Sequence, residues 1–74
     1  MKPLTTHQKN IVIKGIANGA SLRNRHPEIQ GNTIICKGRL SIWDICSIAT
    51  DARAFNLNAI FHYNGATNIN FEEL

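Results

Sequence analysis

From Met1 to Trp43 the sequence holds a single acidic residue, Glu28, against seven cations: Lys2, Lys9, Lys14, Arg23, Arg25, Lys37 and Arg39. Asp44, Asp51, Glu72 and Glu73 all come later, with Arg53 as the one later cation, so the first part is +6 and the second −3. Such a division fits either a polyanion-binding face or head-to-tail self-complementarity. No apolar run approaches the roughly 20 residues of a bilayer span. The polar stretch after Lys2 is not the apolar core of a signal peptide, so we expect a cytoplasmic protein without membrane partners. Walker-type, GxGxxG and HExxH patterns are missing, and so is CxxC. Cys36 and Cys46 lie ten residues apart beside Ile35 and Ile45, a setting for buried, reduced thiols rather than zinc ligands. His7, His26 and His62 share no catalytic spacing. These absences lead us to expect no cofactor, no metal, no catalytic residue and no enzyme activity. An uncharacterised small enzyme is the last of three functional classes kept open.

The 74 residues are 43% hydrophobic and 18% charged, which excludes disordered and membrane classes. The length suits one small domain, 1–74, with a thin core that dimerisation would supplement. We expect an α+β fold: a small mixed sheet of about three strands, with one or two helices packed on one face. It divides into an N-terminal helix or strand plus basic loop (1–31), a βαββ block (32–71) and a tail (72–74).

Thr5 and Gln8 have capping-box spacing, with Gln8, Val12 and Ile16 on one face flanked by Ile11 and Ala17. A helix over 5–17 is expected; the β-branched Ile11-Val12-Ile13 makes a strand over 10–16 the alternative. Residues 20–31 read as a turn or one helical turn and then a loop to Gly31, anchored to the core by Leu22 and Ile29, with Pro27 holding His26 extended. Residues 32–37 read as a strand. Ser41 is an N-cap, with Asp44 three residues on, for a helix from Ile42 to about Phe55. Its apolar stripe is Ile42, Ile45, Ile48, Ala49 and Ala52, leaving Trp43 and Thr50 peripheral. Residues 59–63 and 66–71 read as strands joined at Asn64-Gly65, a type I′ hairpin signal. With 32–37 and 59–63 as parallel neighbours, the helix is a crossover and 66–71 an edge.

Two short segments resemble known families. Ile16-Ala17-Asn18-Gly19-Ala20-Ser21-Leu22-Arg23 resembles the opening of helix-turn-helix segments, but Pro27 arrives before a full second helix can form. The block from Ile34 to Gly65 resembles the strand–helix–strand opening of phosphocarrier proteins. Those carry a histidine at the helix start, where this chain has Arg39, Leu40 and Ser41, so the resemblance implies no phosphotransfer here.

Two binding classes remain. A regulatory or adaptor protein would engage a protein partner, or itself as a homodimer, through Trp43, Thr50, Asn68 and Asn70. An aromatic at the edge of a helical stripe anchors interfaces, and an open strand edge invites pairing. A nucleic-acid-binding protein would instead use Arg23, Arg25, His26, Lys37 and Arg39. Ser41 at the helix start would add an anion contact, and Phe61 or Tyr63 would stack on a base. The first class predicts an apolar patch around Trp43 or an open strand edge; the second predicts that Arg23, Arg25, Lys37 and Arg39 converge on one surface.

Overall fold

A computed structural model describes residues 5–74; Lys2 of the basic part lies outside them. The capping box at Thr5 forms as expected. The Gln8 N–H donates to Thr5 Oγ1 at 3.1 Å, and the Thr5 N–H donates to Gln8 Oε1 at 3.0 Å. Helix α1, Thr6–Ala17, therefore prevails over the strand alternative. It buries Ile13, Ile16 and Ala17 and leaves Ile11 and Gln8 exposed, so its core face is rotated from the one expected.

The following turn sends Leu22 into the core, fully buried. His26 is not extended: its φ is 50°, the left-handed region. The chain must reverse sharply there, because Arg25 O accepts from the Lys37 N–H at 2.9 Å just before the chain enters a strand. That strand, β1 (Glu28–Gln30), falls where a loop was expected. Three exposed residues after a proline carry no alternation to read; the strand exists only through its pairing with β2 (Thr33–Lys37). A two-residue turn joins them, with Gly31 at φ 62°.

Ser41 caps α2 (Ile42–Ala54), its Oγ accepting from the Asp44 N–H at 3.2 Å. Asn56, at φ 60°, ends the helix in the left-handed conformation that asparagine tolerates. Strand β3 (Leu57–Tyr63) begins two residues earlier than expected, and β4 (Ala66–Glu73) takes in most of the supposed tail. The hairpin forms where Asn64-Gly65 placed it. Only Gly65 of the two has positive φ, at 93°, so the turn is not type I′.

The fold is α+β with four strands ordered β1-β2-β4-β3, and every neighbouring pair is antiparallel rather than mixed. Strands β2 and β3 run parallel, but β4 lies between them. Residues 66–71 are thus interior, and β3 is the edge. The register explains this order. Ile34, Thr67, Ile69, Phe71 and Leu57 all fall on one face and are buried there, and an interior position lets β4 bury three of them. That face carries both helices, with Ile13, Ile16, Leu22, Ile48 and Ala52 completing the core. Among the described residues no helix lies over the other face of the sheet.

Candidate protein interface and basic corner

Helix α2 turns Ile48 and Ala52 inward. Positions 43, 46, 47, 50 and 54 then point away from the sheet, since a turn of helix is 3.6 residues. Trp43 is 81% exposed and Ile42 70% exposed, although Ile42 was expected on the buried stripe. Cys46, Ser47, Thr50 and Ala54 are exposed too, so Cys46 is not the core thiol expected. The Thr50 hydroxyl donates to Cys46 O at 2.8 Å, which satisfies it within the helix. The result is a face of one indole, a thiol and small side chains, with no charge along it.

Asn68 and Asn70 do not share this surface. They lie on the uncovered sheet face, with β4 interior rather than at an edge. The Asn68 side-chain amide donates to Asn64 Oδ1 at 3.1 Å and to Ala66 O at 3.2 Å, and Asn70 Oδ1 accepts from the Thr33 hydroxyl at 3.0 Å. Their rows are completed by Ile35 and His62 for Asn68, and by Thr33 and Ile60 for Asn70.

The expected cations meet in part. The turn bearing Arg25 docks on the loop between β2 and α2, where Arg25 Nη1 donates to Arg39 O at 2.8 Å. Arg25 Nη2 lies 3.7 Å from Asp44 Oδ2, both side chains partly exposed. The Thr67 hydroxyl donates to Gly38 O at 2.5 Å and ties the same loop to β4. Arg39 stacks over Tyr63, with its guanidinium carbon 4.5 Å from the ring centre. Arg25 and Arg39 therefore meet at one corner beside the start of α2. Lys37 leaves β2 on the uncovered face with Thr33 and Ile35, and Arg23 and His26 lie exposed on the adjoining turn. Asp44 answers part of the Arg25 charge. Phe61 is packed against the core, whereas Tyr63 is exposed and carries Arg39 over its ring.

Between that loop and the hairpin is a cleft of about 220 Å³, lined by Arg39, Leu40, Ile45, Phe61, Tyr63 and Thr67 among others. Sequence reading missed it, because its walls come from three separate elements. Cys36 is 1% exposed, and burial pushes its thiol pKa up, with Arg25 and the Thr67 hydroxyl pulling back. Among the described residues no group of three or more His, Cys, Asp or Glu could hold a metal, and no helix is long and apolar enough to cross a membrane.

The chain matches no family model, and no curated protein or solved structure matches it.

Proposed function

We propose that this chain is a small non-enzymatic protein-interaction module, regulatory or adaptor-like, that holds a protein partner on the outward face of α2. One observation carries the reading: its single tryptophan is 81% exposed at the head of an uncharged helical face. An indole in water forgoes a large area of apolar burial, and interface hot spots are enriched in tryptophan. A tryptophan so exposed does not serve as cover for its own core.

A photo-cross-linking side chain at Thr50, introduced in the cell, tests this. The expected product is a discrete adduct with a second protein, lost in Trp43→Ala. Reconstituted with that partner, Trp43→Ala should weaken binding by roughly 2 kcal/mol, about 30-fold, while changing fold stability by less than about 0.5 kcal/mol. Unchanged affinity would remove α2 from the account.

The meeting of Arg25 and Arg39, with Arg23 on the adjoining turn, favours a second reading, nucleic-acid binding at the basic corner. It calls for fluorescence anisotropy with mixed RNA and DNA oligonucleotides. Binding through about three phosphates should lose affinity with salt at a log–log slope near −3. No saturable binding at low salt excludes it.

A further inference from the structure

The sheet has two edges, and they are built differently. β1 is three residues long and carries Glu28, features that discourage pairing with another chain. β3 is seven residues long, Leu-Asn-Ala-Ile-Phe-His-Tyr, with no Lys, Arg, Asp, Glu or Pro and no bulge in its register with β4. Its unpaired groups can be assigned. The Leu74 N–H donates to Asn56 O and the Asn64 N–H donates to Ala66 O. In an antiparallel ladder bonding alternates, so the even residues of β3 bond to β4 and the odd ones point outward. Leu57 is fully buried at the strand's start. The accessible outward N–H and C=O groups are those of Ala59, Phe61 and Tyr63, and no partner holds them among the described residues.

We infer that two copies of this chain join through β3, antiparallel about a two-fold axis, to make one continuous sheet. The register in which all three outward residues find partners sets Phe61 opposite its own copy and Tyr63 opposite Ala59. It also sets His62 opposite Ile60, so each cross-strand pair beside the axis contains at least one aromatic ring. Charge selects the same occupant. Asn58 and Leu57, at one end of β3, are flanked by Glu72 and Glu73 on β4. The other end holds His62 and Tyr63, with Arg39 stacked on it. Antiparallel self-pairing necessarily brings the acidic end of one copy beside the basic end of the other, twice. Of the seven cations in the first part of the sequence, Arg39 is the one that this pairing brings to the seam. The outward face of α2 enters none of this, so either conclusion can fail without the other.

Sedimentation velocity of the full chain across a range of concentrations tests the pairing. A reversible dimer is expected, loosening as salt rises. Hydrogen exchange should show the amides of Ala59, Phe61 and Tyr63 slowing as dimer forms. Ile60→Lys, at a 40% exposed position, places at the seam the residue that edges use as a guard. It should weaken the dimer by at least roughly tenfold with the circular dichroism unchanged. Glu72→Lys with Glu73→Lys should weaken it too, and Arg39→Glu added to that pair should restore part of the loss, which a merely structural effect would not do. Trp43→Ala should leave the dimer intact. A monomer at every concentration overturns the inference. So does a dimer that survives Ile60→Lys or dissolves with Trp43→Ala.

Discussion

At the scale of single residues, the two cysteines separate cleanly despite equal surroundings in sequence. Cys36 points into the core from β2, and Cys46 sits on the exposed side of α2. One thiol per chain should therefore react with a disulfide reagent in the native protein, and the second only on unfolding. Substituting Cys46→Ser should abolish the fast phase. The raised pKa of Cys36 has a stability consequence whose sign is fixed. The folded state holds the neutral thiol more firmly than the unfolded chain does, where the value is near 9.0. Its contribution is complete below that pH and is lost as pH rises through the folded value. Denaturation midpoints measured from neutral to alkaline pH should fall above about pH 9, less steeply in Cys36→Ala. His26 is the residue whose conformation sequence misjudged most. Pro27 disfavours the right-handed helical region, but the contacts of Arg25 on both sides select left-handed φ over the extended form.

At the scale of elements, what was legible rested on local signals. Thr5–Gln8 and Ser41–Asp44 capping, and the glycine after Asn64, each act within four residues, and each marked a real boundary. Ser41→Ala should lower stability by about 1 kcal/mol, read from urea melts, and fraying should be confined to the first turn of α2 by hydrogen exchange. What was not legible depends on distant partners. β1 has no pattern of its own and is defined by β2. The place of β4 between β2 and β3 follows from burying Thr67, Ile69 and Phe71 together, a choice no window around 66–71 reveals. That error moved Asn68 and Asn70 from an imagined edge to the uncovered sheet face. It also hid the β3 edge. The outward placing of Trp43 and Thr50 was legible because a helix has a fixed period, although the same spacing put Ile42, 70% exposed, on the buried stripe.

At the scale of the whole molecule, two helices cover one side of a four-stranded sheet, and among the described residues three surfaces stand without cover: the outward face of α2, the amide-rich sheet face and the β3 edge. The functional reading rests first on α2, and so on whether Trp43 stands in water when the chain is alone. Trp43 is the only tryptophan, so its fluorescence reports that position directly. The measurement is acrylamide and iodide quenching with the emission maximum, from dilute to concentrated protein. The account predicts emission typical of a hydrated indole, fully open to both quenchers at every concentration. A blue-shifted, shielded tryptophan would contradict it, because Trp43 would then already be spent on its own chain or on a second copy.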